Sequence, residues 1–228
     1  VNEYLVTRTS KNNKRRIISS FFVFLRLYDF DNPINQLVAD KLKNVFDKMF
    51  KDTGVSANDF EFMCFNNKNP GAFFINSVTA NLSKNVIAVS DSLIFALDNE
   101  DELAAVIAHE CGHFIWQKRS LDGNTRFQER WADVNSVDLM VDAGYNPRYI
   151  LEMQKKVMND FSYKNITLDV HGTPFARAED VKARITTKAL EIGDFDEINK
   201  NENQEWKNFQ KKADDIIQHN GFSTFIDK

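Results

Sequence analysis

Residues 102–113 read Glu-Leu-Ala-Ala-Val-Ile-Ala-His-Glu-Cys-Gly-His, and the reading of this stretch decides the rest. It is an apolar run of helical character. Asn99, followed three residues on by Glu102, is the capping-box signature that opens a helix over about 100–118. On that helix His109 and His113 stand four residues apart and share a face, so their ring nitrogens converge on one metal ion. Glu110, beside the first histidine, is placed to hold a water on that ion and take its proton. The pattern is specific without being decisive, because a protein zinc site needs a third ligand, with the fourth position left to water.

The next predicted helix, about 126–143 and closed by Gly144, carries Gln-Glu-Arg-Trp-Ala-Asp at 128–133. Glu129 and Asp133 lie four apart on one face. Glu129 completes a His-His-Glu set, and Asp133 accepts the remaining ring N–H of a ligating histidine, His109 by preference, fixing its tautomer. The small Ala132 lets the two helices pack closely. A carboxylate on a helix is ordinarily solvated surface. Two at this spacing, directly after the histidine helix and flanked by Trp131 and Val134, argue for a site.

Taken in order, residues 102–113, Glu129-Arg-Trp-Ala-Asp133 and Ala143-Gly-Tyr-Asn-Pro147 resemble the HtpX/CAAX-prenyl-protease-like family of zinc metallopeptidases. The resemblance spans roughly residues 32–190. It implies a gluzincin-type endopeptidase that binds one zinc ion through His109, His113 and Glu129. It also implies a His-Pro loop near the metal, whose nearest match is His171-Gly-Thr-Pro174, two residues longer. His171 is carried over as a catalytic stabiliser of the oxyanion or a cap on the metal, against the alternative of an exposed loop histidine. Arg184 is a weaker charged neighbour. The chain departs from the family in three further places. The link between His113 and Glu129 is short and polar, where many members insert membrane helices. Lys118 stands where many bacterial relatives have another histidine. Gly71-Ala72-Phe73 replaces the usual Asn-Ala-Phe ahead of the active-site edge strand.

Outward from the site, the chain reads as a helix-rich α+β domain of the zincin-like metalloprotease kind, with one small sheet beside the histidine helix. Strands are predicted at Phe60–Phe65, Ala72–Asn76 and Val86–Ser90. The last, with Val86, Ile87, Ala88 and Val89, is read as the edge strand that pairs with substrate, the alternative being an interior strand. A helix starts at Pro33 after Asn32. Others cover 91–97, 146–161, 179–191 and 202–218, with 162–178 a loop. The expected division is a lead-in over 1–30, a peptidase domain over 31–192 and a C-terminal helical extension over 193–228 packed on it.

A chain of 228 residues with 43% hydrophobic content and 20 phenylalanines builds a real core. A net charge of −4 argues against a nucleic-acid partner, despite the basic run Lys11 to Arg16. Cys64 and Cys111 form no disulfide framework and read as small buried residues. No segment is long and apolar enough to span a membrane. Because the chain opens on Val, a targeting segment ahead of it is expected to be missing. An extracytoplasmic location, periplasmic or envelope-associated, is favoured. The expected function is zinc-dependent endopeptidase action on unfolded or flexible polypeptide, in protein quality control. The alternatives are a catalytically silent metal-binding module and a dedicated-substrate secreted protease.

Overall fold

A computed structural model describes residues 33–51, 53–65, 70–159, 174–193, 195 and 203–219. The first described helix, α1 (Pro33–Phe50), buries the stripe Ile34, Val38, Leu42, Val45, Phe46 and Met49. Its spacing of three and four residues is what an amphipathic helix requires. A 3-10 turn, Ala57–Asp59, capped by the Ser56 hydroxyl, leads into β1 (Phe60–Phe65). Then come β2 (Ala72–Ile75), the one-turn helix α2 (Ser77–Ala80), β3 (Asn85–Ser90) and α3 (Asp91–Ala96). Five long helices follow: α4 (Glu100–Lys118), α5 (Thr125–Asp142), α6 (Tyr149–Asn159), α7 (Pro174–Ile192) and α8 (Asn203–His219). This is an α+β fold with one small mixed sheet. No helix among the described residues is long and apolar enough to cross a membrane.

The sheet corrects one expectation. Its strand order is β1-β3-β2, with β1 and β3 parallel (Phe60 opposite Asn85) and β2 and β3 antiparallel (Ala72 opposite Val89). Val86, Ile87, Ala88 and Val89 are therefore the central strand and not an edge, and all four are buried. The cause is visible in their chemistry: an unbroken apolar run has no polar face to offer water, so it settles where both faces and both sides are covered. On one face the sheet meets the main core under α1 and α4. On the other, Met63, Phe65, Ile75, Ala80, Val86 and Ala88 form a second buried cluster. The outer strand beside α4 is β2, where the Phe74 and Phe114 rings lie 5.9 Å apart edge to face.

Helix α4 is held at its start by charge. The Asn99 side chain accepts the Glu102 N–H at 2.9 Å, as the capping motif predicts, while the Glu102 carboxylate reaches one residue further back to the Asp98 N–H at 2.7 Å. Glu100, Asp101 and Glu102 are all buried in the first turn, where the helix dipole favours negative charge. Each has partners. Glu100 takes Lys41, Lys48 at 2.8 Å and the Tyr145 hydroxyl at 2.8 Å. Asp101 accepts the Asn146 N–H, and Glu102 binds Lys156.

Burial alone would raise the Glu100 pKa, but the two lysines and Tyr145 outweigh it and bring it below the ordinary value. A folded pKa below the unfolded one gives stability that is fully present above the unfolded value and lost as pH falls through the folded one. Glu100→Gln should therefore lower the melting temperature at neutral pH. The gap to the unmodified chain should close below about pH 4. Thermal melts of both proteins across pH check this.

The C-terminal helix α8 sinks Trp206 and Ala213 fully into the core. Trp206 Nε1 donates to the Leu97 carbonyl at 3.1 Å, and Gln210 Nε2 to the same oxygen at 2.8 Å. It thus docks against the turn before α4, at the end of that helix away from His113. Both cysteines are buried, and burial pushes their thiol pKa values up, which leaves them inert.

Candidate metal centre

Helices α4 and α5 run antiparallel around the reversal at 119–124, and their contact sets the site. Gly112 faces Ala132 so closely that a Cβ on Gly112 would lie 2.7 Å from the Ala132 Cα and 3.0 Å from its carbonyl oxygen. Beside this contact the polar residues meet, His109 and Glu129 three positions before it and His113 and Asp133 directly after it. His109 and His113 present their Nε2 atoms 3.2 Å apart. Glu129 places one carboxylate oxygen 3.4 Å from His109 Nε2 and the other 3.4 Å from His113 Nε2. His109 and Glu129 are buried and His113 is half-buried.

In this triangle the two ring nitrogens are spaced as a small cation demands, while Glu129 turns a different oxygen toward each ring. Ligand bonds of about 2.0–2.1 Å meeting at tetrahedral angles separate the donor atoms by about 3.3 Å. The donor set of two imidazoles and one carboxylate suits zinc. Burial lowers the His113 pKa to about 4, so its ring is a neutral donor with a lone pair available. For His109, burial works against the charge, but Asp133 and Glu129 outweigh it and hold its pKa well above the ordinary value. Without a metal, the buried carboxylates of Glu129 and Asp133 are balanced by Arg177 and a protonated His109, and a cation bound at His109 Nε2 would take the place of that proton. Glu110, 4% exposed, follows His109 directly.

Asp133 is brought beside His109. One of its oxygens is 2.9 Å from His109 Nδ1. The structure adds a residue that the sequence reading missed, Arg177. Its Nε and Nη2 donate to the two Asp133 oxygens at 2.6 and 2.9 Å, a bidentate pair, and its Nη1 is 3.4 Å from Glu129. Burial would raise the Asp133 pKa, yet Arg177 and His109 bring it below the usual carboxylate range. Asp133 thus stays ionised as a link between the ring and the guanidinium.

Arg177 was missed because 162–178 reads as a loop, whereas α7 begins at Pro174, five residues earlier than expected. The available signal was Pro174 itself, which fits the first position of a helix. It was reinforced by Arg177, Val181 and Ile185 at four-residue steps, all three buried. Arg184, the weaker candidate, lies elsewhere: it binds Asp138 at 2.6 and 2.9 Å, further along α5. His171 lies outside the described residues.

Removing Arg177 leaves an ionised, fully buried Asp133 without its main partner, a change that ordinarily costs about 3–5 kcal/mol. Arg177→Met should lower the unfolding free energy from urea titration by an amount in that range, seen as a lower midpoint with an unchanged m-value. A midpoint within error of the original would show that the pair contributes little.

Residues 36–119 match the model of peptidase family M48. The similarity covers most of α1, the sheet and all of α4 with both histidines, and it ends before Glu129, Asp133 and Arg177. It supports a metallopeptidase, a hydrolase of peptide bonds. A search of curated proteins finds no match to the chain.

Proposed function

We propose that this chain is a zinc-dependent endopeptidase of the gluzincin type, akin to the HtpX/CAAX-prenyl-protease-like group, acting on unfolded or flexible polypeptides. The observation that carries this is the convergence of His109, His113 and Glu129, whose donor atoms lie within 4.8 Å of one another, with Glu110 beside His109 on α4.

Bound there, zinc would supply Lewis acidity, making water a usable nucleophile near neutral pH and polarising the scissile carbonyl. The chain's own residues do the rest. Glu110 takes the proton of the attacking water and later gives it to the leaving amine. Asp133 fixes the His109 ring so that Nε2 faces the site, and Arg177 fixes Asp133. Strand β2, the outer strand beside α4, offers main-chain groups to an extended substrate. It replaces β3, whose central place excludes that role. A main-chain-reading groove makes little demand on substrate sequence, which suits quality-control work on unfolded chains. By the resemblance alone, His171 is proposed to donate to the developing oxyanion.

The test is metal analysis of the purified chain combined with casein digestion. The expected result is one zinc per chain and digestion that stops on chelation and returns with zinc. Absence of stoichiometric zinc would overturn the reading. Stoichiometric zinc without digestion would favour the silent module.

A further inference from the structure

We infer that the reversal between α4 and α5 docks on an anionic lipid surface. This goes beyond the proposed peptidase reading and does not depend on it. The chain as a whole is acidic, with 33 acidic against 29 basic side chains. The reversal is the opposite. Gln117 to Asn124 are all exposed, a tip that stands clear of the core, and Arg126 and Phe127 are exposed on the next turn. Over 117–127 the cations are Lys118, Arg119 and Arg126, against the single acid Asp122. Lys118 and Arg119 have no carboxylate partner among the described residues. The neighbouring Arg130, by contrast, is neutralised by Asp180.

The same tip exposes apolar side chains. Phe127 is 53% exposed and Leu121 36%. Beneath them the buried Trp116 lies edge to face with both Phe127 and the half-buried Trp131, at 5.4 Å in each case. Gly123 lies against this pair: a Cβ there would meet the Phe127 and Trp116 rings at 3.0–3.2 Å. The loop is thus seated on its aromatic base, with Leu121 and Phe127 exposed on it. Lys118 Nζ lies 5.9 Å over the Phe114 ring and the Arg119 guanidinium 6.0 Å over the Trp131 ring. Both charges thus lie over aromatic rings on exposed side chains.

A tip that combines exposed aromatic and aliphatic side chains with cations such as Lys118 and Arg119 is the chemistry of the membrane interface. Rings insert at headgroup depth there while lysine and arginine meet anionic headgroups. The fit to a nucleic acid is poorer, since that calls for cations tracking a backbone along a groove. The fit to an acidic peptide is also poorer, since such a peptide would leave Leu121 and Phe127 without an apolar partner.

The experiment is cosedimentation of the full chain with phosphatidylcholine vesicles, with and without about one-third phosphatidylglycerol, read alongside tryptophan fluorescence. Trp206 is in the core, so a blue shift, or quenching by brominated acyl chains, reports Trp116 and Trp131. Expected are binding to the anionic vesicles only, weakening with salt, and a loss of about tenfold or more in both Lys118→Glu/Arg119→Glu and Leu121→Ser/Phe127→Ser. Quenching should vanish in the second variant. The charge variant changes only exposed side chains and carries the test alone if the apolar variant loses its thermal transition. No binding to anionic vesicles, equal binding to neutral ones, or undiminished binding by the charge variant would overturn the proposal. So would displacement by polyglutamate at lower concentration than by free anionic vesicles, which would reassign the tip to acidic polypeptide.

Discussion

Replacing Glu110 with Gln leaves one zinc bound per chain and lowers proteolysis by about 10³–10⁴-fold, near the upper end of what a general base contributes. The argument rests on what the substitution spares. Glutamine matches glutamate in shape and still hydrogen-bonds, so the buried position beside His109 stays filled. The triangle is built by His109, His113 and Glu129, none of which changes. What disappears is the capacity to accept a proton, and no other carboxylate in the site is available for the task. Glu129 is committed to the triangle, and Asp133 is held between His109 and Arg177. Single-turnover cleavage of a fluorescent peptide, with zinc measured on the same samples, separates lost chemistry from lost metal. Retained cleavage with zinc in place would remove Glu110 from the mechanism, while lost zinc would show that it supports the ligands.

What was legible in the sequence was local. Asn99 and Glu102 announce the start of α4 because capping is decided within four residues. His109 with His113, and Glu129 with Asp133, announce shared faces because helical periodicity is fixed by backbone geometry. Even so, only half of the capping box took the expected form, because Glu102 found the Asp98 N–H. What was not legible depended on partners distant in the chain. Whether Val86 to Val89 are edge or centre depends on β1, which pairs with them in parallel from 25 residues away (Phe60 opposite Asn85). Arg177 reaches Asp133 across 44 positions. Arg177 and Arg184 are two helical turns apart and present the same face to α5. Periodicity therefore cannot tell which of them stands level with the metal ligands and which with Asp138. That choice is made by where α7 starts and how it crosses α5, which are properties of the packed helices.

Gly112 is the position where packing and chemistry are least separable, and Gly112→Ala should cost the protein its metal. The added Cβ would sit 2.7 Å from the Ala132 Cα, 2.9 Å from its Cβ and 3.0 Å from its carbonyl oxygen, whereas carbon atoms rest at about 3.5–4.0 Å. Two of those three contacts are to backbone, so no rotamer change relieves them. Helices α4 and α5 must separate locally by about 1 Å, and overpacking of this kind ordinarily costs about 1–3 kcal/mol or more.

The same displacement acts on the site, because the histidines lie on α4 and Glu129 on α5. Donor separations now at 3.4 Å would open to more than 4 Å, about the limit at which two atoms can share one ion with bonds near 2.05 Å. A competitive chelator titration should show zinc affinity down by about 100-fold or more, together with a lower melting temperature. Adding Ala132→Gly should not rescue either property, because it removes only the 2.9 Å contact and leaves the two to backbone. If Gly112→Ala binds zinc as tightly as the parent chain, the close approach of α4 and α5 is not what sets the distance between the histidines and Glu129.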